Sequence, residues 1–151
     1  MNPIPLATND QVALGATHYI RVTHADLTET AADTDQTLTL AVADGEAFRV
    51  VAMRLVEPFE DASDAALNDT KFSFGDGGSA TRFLAATQVN VNGTEIDYAP
   101  GVLGVPYPYN TADTADLLVE SMTGKSLSDI DTGIALFYVQ LVDLKRHGDY
   151  A

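Results

Sequence analysis

His18 and His24 are the first two residues along the chain whose type could hold a metal, and their spacing argues against it. Six positions apart on one strand, they share a face but stand ~20 Å from each other, too far to grip one ion. His147 lies away from both. Carboxylates come at close spacing in Asp129-Ile130-Asp131-Thr132-Gly133 and between Asp61 and Asp69, yet neither stretch has the full calcium loop with its distal glutamate. A glycosidase-type pair could be drawn on any surface this acidic, so no pair stands out. Gly75-Asp76-Gly77-Gly78-Ser79-Ala80 is glycine-rich but lacks the following Gly-Lys-Ser/Thr, and no helix opens there to aim amides at a phosphate. Gly-x-Ser-x-Gly is absent, and no serine, histidine and aspartate form a recognisable triad. We therefore assign no catalytic, cofactor-binding or metal-binding residue and expect no enzyme. The residues left for function are those that touch partners. Pro3, Ile4, Pro5 and Leu6 at the start and Tyr107 and Tyr109 in a proline-rich stretch are the expected contacts.

Composition narrows the partners. Eight basic against 22 acidic residues leave a net charge of −14, which repels phosphate backbones and anionic membranes. Nucleic acid and membrane are not expected partners. The acids are spread over loops, as on a solvated surface. With no cysteine, disulfides and thiolate metal sites are excluded, and rigidity must come from packing and association. No apolar run reaches the ~18 residues of a membrane span, and Met1-Asn2-Pro3-Ile4-Pro5-Leu6 has no signal-peptide pattern.

The elements that must position these residues read as extended chain. Pro3 and Pro5 predict an extended N-terminal arm over residues 1–10, with residues 11–151 as a single domain. Tyr19 to Thr23 are good strand formers. Thr37-Leu38-Thr39-Leu40-Ala41-Val42 alternates cleanly, with Leu38, Leu40 and Val42 inward. Phe48 to Val56 is apolar on both faces apart from its arginines, which predicts a central strand stopped by Pro58, with helix as the competing reading. Strands follow at Lys71 to Gly75 and Arg82 to Val91, joined by the glycine-rich turn. Asn92-Gly93 then has the form of a two-residue type I′ hairpin turn, with Val91 opposite Thr94. Pro100 to Asn110, with three prolines and two glycines in its middle, cannot sustain a regular ladder and is expected to be a long ordered loop. Ala115 to Thr123 is read as strand, short helix being the alternative, and Ile134 to Leu144 is the strongest strand. About eight strands without βαβ alternation predict an all-β, antiparallel β-sandwich, jelly-roll-like, ahead of a small closed barrel.

The order of elements from Val51-Ala52-Met53-Arg54-Leu55-Val56-Glu57-Pro58-Phe59-Glu60 through Asn68-Asp69-Thr70-Lys71-Phe72-Ser73-Phe74-Gly75-Asp76-Gly77-Gly78-Ser79-Ala80-Thr81-Arg82-Phe83-Leu84 resembles that of virion proteins of tailed bacteriophages. An apolar strand ends in an acidic loop, a strand and turn running from Thr70 to Gly75-Asp76-Gly77 follow, and the Arg82-Phe83-Leu84 segment leads on. Leu127 to Leu144, a glycine opening a long apolar strand, is similar too. The resemblance implies a non-enzymatic capsid decoration (cement) protein on the virion exterior, assembled in the host cytoplasm. Its implied partners are the major capsid protein and its own copies in a homotrimer. The alternatives are a tail- or fibre-associated module binding host glycans through Tyr98, Tyr107 and Tyr109, against which the absence of tryptophan counts, an acid-pair hydrolase, and a cellular β-sandwich with no viral link.

Overall fold

The computed structural model describes residues 1–61, 63–64, 70–89 and 98–145. Among them, ten strands and one α-helix make two antiparallel sheets. In chain order these are β1 (Ile4–Pro5), α1 (Thr8–Leu14), β2 (His18–Thr23), β3 (Gln36–Val42), β4 (Glu46–Glu60), β5 (Lys71–Asp76), β6 (Ser79–Gln88), β7 (Tyr98–Pro100), β8 (Tyr107–Pro108), β9 (Asp113–Glu120) and β10 (Thr132–Asp143). The six-stranded sheet runs β1-β2-β10-β4-β7 with β8 also on β4, and the four-stranded sheet runs β3-β9-β5-β6. The expected all-β sandwich is what forms. Consecutive strands often change sheet, so the two layers are interleaved along the chain.

Alternation explains the core. All six phenylalanines of the chain are fully buried, with Phe48, Phe59 and Phe137 from the six-stranded sheet and Phe72, Phe74 and Phe83 from the other. Their rings form a continuous spine: Phe59 to Phe72 at 4.8 Å, Phe72 to Phe137 at 6.1 Å, Phe137 to Phe74 at 5.5 Å, Phe74 to Phe48 at 5.5 Å and Phe48 to Phe83 at 5.0 Å. Burying each ring contributes roughly 1.5–3 kcal/mol, so this seam holds the layers together. Strand β9 resolves the ambiguity at 115–123 in favour of strand as far as Glu120, with Ser121 to Thr123 outside it. Its burial alternates, with Ala115, Leu117 and Val119 inward, the period of two that a helix would not show.

Three expectations are corrected. Backbone is extended only through Leu6, where Ile4 pairs with Tyr19 and Pro5 with His18 at the sheet edge. Beyond it no further proline interrupts, and Thr8–Leu14 coils into a helix closed by Gly15 at φ 67°, whose amide donates to Gln11 O at 2.9 Å. Pro58 does not stop β4. Pairing with β10 shifts register between Thr132 and Ile134, so the proline without an N–H falls at a bulge and Thr132 Oγ1 donates to Pro58 O instead. Nor does β4 look apolar on both faces because both are covered. Of the two further shifts, at Ile134/Ala135 and at Tyr138/Val139, the latter changes its phase: Phe48 and Val50 point inward before it, Met53 and Leu55 after. Arg49, Arg54 and Val56 are thereby left on the outer face.

The Pro100–Asn110 stretch is a loop pinned along β4. Tyr98–Pro100 and Tyr107–Pro108 each pair briefly with that strand, and between them Gly101 donates to Val51 O at 2.9 Å. A Cβ at Gly101 would lie 1.8 Å from Val50 O, so only glycine permits the approach. The Asn92-Gly93 turn and His147 lie outside the described residues.

Candidate functional site

Sequence placed the expected contacts in two segments, and the structure sets them apart. Pro3, Ile4, Pro5 and Leu6 lie at the β1 edge of the six-stranded sheet; Tyr107 and Tyr109 lie at or beside β8, across β2, β10 and β4. Ile4 is 42% exposed and Pro5 is exposed, whereas Pro3 and Leu6 are half-buried. Leu6 helps line a groove of about 500 Å³ between α1 and the sheet, with Leu14, Tyr19 and Leu136. No side chain of α1 is buried, and Val12 on it is 81% exposed.

The two tyrosines have different fates. Tyr107 is 36% exposed, but Tyr109 is turned inward at 5% and donates its hydroxyl to Asp76 Oδ2 at 2.8 Å. Tyr107 stacks edge-on against Tyr109, ring centroids 5.2 Å apart, and carries the Arg82 guanidinium over its face at 4.2 Å. Arg82 in turn places Nε 2.6 Å from Asp76 Oδ2. The other carboxylate oxygen, Oδ1, accepts the amides of Gly78 at 3.0 Å and Ser79 at 2.9 Å, closing the β5–β6 turn. Asp76 is therefore a knot, tying a hairpin of one sheet to a loop of the other.

Electrostatics follow from that geometry. Burial is the largest single influence on Asp76 and raises its pKa, but Tyr109, Arg82 and the amides of Ser79 and Gly78 together outweigh it and hold the carboxyl below its ordinary value. Tyr109 is pushed well above the usual phenol value by burial first and by the Asp76 carboxylate second. Arg82 is raised by its bond to Asp76. Both Asp76 oxygens are thus engaged, Tyr109 is locked in its neutral form, and the cluster presents no free base or nucleophile. A cleft of about 250 Å³ opens beside it, lined also by Pro108, Asn110, Thr111 and Asp113.

The fold of these strands is similar to that of a chain in the capsid asymmetric unit of cyanophage Pam1. The likeness has a TM-score of 0.54 at 22% identity, covering 82% of this chain and 81% of the other, and it is a likeness of fold. No family model matches the chain, and no curated protein matches it.

The remaining candidates stay dispersed. Tyr98, 59% exposed, sits opposite Arg54, while Tyr107 sits opposite Phe48. Six residues along β4 separate those levels by roughly 20 Å, so these two tyrosines do not form one sugar-stacking platform. Among the described residues no three histidines or acids come together as a metal site. Asp64 is engaged by Lys125, whose amine is raised in pKa by that bond. No helix among the described residues is long and apolar enough to cross a membrane. Sequence reading missed the roles of Asp76 and Arg82, taking the first as part of a turn and the second as the start of a strand. An aspartate before Gly-Gly does signal a self-capped turn, but its bond to Tyr109, 33 residues on, has no local signature.

Proposed function

We propose that this chain is a non-enzymatic structural protein of a tailed-phage virion, a decoration protein that seats on the outside of the major capsid lattice and stabilises the head. The observation that carries the reading is the fold likeness to a chain of the Pam1 capsid asymmetric unit, over four-fifths of both chains. It agrees with the sequence resemblance, which rests on different evidence. The interleaved order, β2-β10-β4-β7 against β3-β9-β5-β6, fits the jelly roll expected for such a protein. The Asp76 cluster, with both carboxylate oxygens engaged, fits a structural role for that cluster.

In this reading residues 11–151 act as one unit, and the edges of the six-stranded sheet make the contacts, with Ile4 and Pro5 at one and Tyr107 at the other. These strands stand at the margins of the sheet, and three copies joined edge to edge would cover such edges. Tyr109 contributes by holding Tyr107 in place. The test is cosedimentation of purified chain with expanded heads of its own phage assembled without it. Saturable binding that raises the temperature at which heads release DNA is expected, with Ile4→Asp and Tyr107→Ala weakening it. Failure to bind expanded heads, or turnover of a small molecule by the purified chain, would overturn it.

A further inference from the structure

The charges of the six-stranded sheet do not follow those of the chain. Across the middle of its three longest strands, residues 18–23, 47–56 and 133–142, there are three arginines and no acid, in a protein where acids outnumber bases 22 to 8. All three arginines point outward. Arg49 is spoken for, donating to Gln140 Oε1 at 2.6 Å and Leu103 O at 2.9 Å. Arg21 and Arg54 are exposed, and neither has an ion pair or hydrogen bond among the described residues.

Register puts these two in one row. Leu136 on β10 faces Arg21 on β2 and Arg54 on β4, so the guanidinium stems rise roughly 10 Å apart with a leucine between them. In the adjacent row Tyr138 faces Tyr19. Arg21, Leu136, Tyr19 and Tyr138 line the 500 Å³ groove beside α1 together with Leu6 and Leu14, while Arg54 stands across Leu136, outside that lining. One carboxylate, Asp10, also lines the groove, without an ion pair to Arg21. Apolar area thus lies between two arginines that make no ion pair, although Asp26 shares a second cleft with Arg21 and exposed Glu57 lies opposite Ile134 further along β10.

We propose that this outer face is a docking surface for an acidic polypeptide segment of a partner protein, one that lays carboxylates on Arg21 and Arg54 and an apolar side chain into the groove beside Leu136. Charge complementarity selects the occupant: guanidinium pairs with carboxylate, and the apolar floor between the arginines favours a leucine-like side chain over a uniformly charged polymer. Duplex nucleic acid satisfies the arginines but not the apolar floor. The inference concerns what this face accepts wherever the chain acts, so failure of head binding leaves it intact.

The experiment uses the full chain and a nine-residue capped peptide of alternating glutamate and leucine, titrated by amide NMR at low salt. Shifts confined to β2, β10, the middle of β4 and the Leu6–Leu14 wall of the groove are expected, with affinity falling several-fold when salt is raised to 0.5 M. Arg21→Gln and Arg54→Gln should each weaken binding about threefold and together about tenfold. Lys71→Gln, on the other sheet, should leave it unchanged. Melting temperatures of these exposed variants should stay within about 2 °C of the parent, showing that they fold. A glutamine-for-glutamate peptide that binds equally well, a double variant that binds normally, shifts on the other sheet, or a DNA duplex that binds as tightly as the peptide would each overturn the proposal. So would concentration-dependent self-association lost in the double variant, which would make the face a contact between copies.

Discussion

The two outer faces of this sandwich are built on the same inner seam and look nothing alike. On the four-stranded sheet the outward row of β3 is Thr37, Thr39 and Ala41, set against Leu118, Asp116 and Thr114 of β9; on β5 the same face continues with Ser73 and Gly75, both buried, and with exposed Lys71 opposite Glu120. These are mostly small and polar side chains with an acid at the centre. On the six-stranded sheet the outward positions are Tyr19, Arg21, Arg54, Leu136 and Tyr138. Folding demands a matched interior of both sheets and demands little of either exterior. The fold alone does not account for that divergence, and docking of a partner on the aromatic, basic side, as proposed above, would account for it.

The largest effect should come from breaking what the faces share. Phe137→Ala removes a ring that touches both Phe72 and Phe74, and equilibrium denaturation should show a loss of about 3–5 kcal/mol. Leu136→Ala, one residue away on the same strand but outward and half-buried, should cost about 1 kcal/mol. Equal losses would mean the outer face is as structural as the core.

The knot between the layers comes next. Asp76→Asn keeps the shape but removes the charge facing Arg82, and a loss of about 2–4 kcal/mol is expected. Its pH signature has a definite sign. Because the folded carboxyl lies below its ordinary value of 3.8, its contribution is complete above that pH and is lost as pH falls through the lowered value. Tyr109 is shifted the other way: its contribution is complete below the ordinary phenol value of 10.0 and declines as pH rises beyond it. Tyr109→Phe should cost about 1.5–3 kcal/mol and flatten the alkaline decline, while Asp76→Asn flattens the acid one, both read from melting temperature against pH. The smallest expected effect is on the outer arginines: Arg21→Gln and Arg54→Gln should change folding stability by no more than about 0.5 kcal/mol.

Several of these features were legible without coordinates. Thr37 to Val42 announced its inward residues through alternation, and Gly-Gly after Asp76 announced a hairpin turn. Phe48 to Val56 could be read as a strand but not oriented, because the bulge that flips its phase arises from pairing with β10 more than 80 residues later. Helix α1 was hidden by the prolines before it. Tyr107 and Tyr109, alike in sequence, were separated only by which of them reached a carboxylate.

What the amino-acid order determined by itself was the material: strand-forming stretches of period two, phenylalanines to weld two layers, an acidic surface and no reactive constellation. Those are local or compositional properties, and short-range sterics and solvation suffice to read them. Only the tertiary structure decided that Arg21, Leu136 and Arg54 share a row and that Asp76 binds Tyr109. Both depend on strand register, which is set by contacts between segments far apart in the chain, and no local preference encodes which strand will be the neighbour.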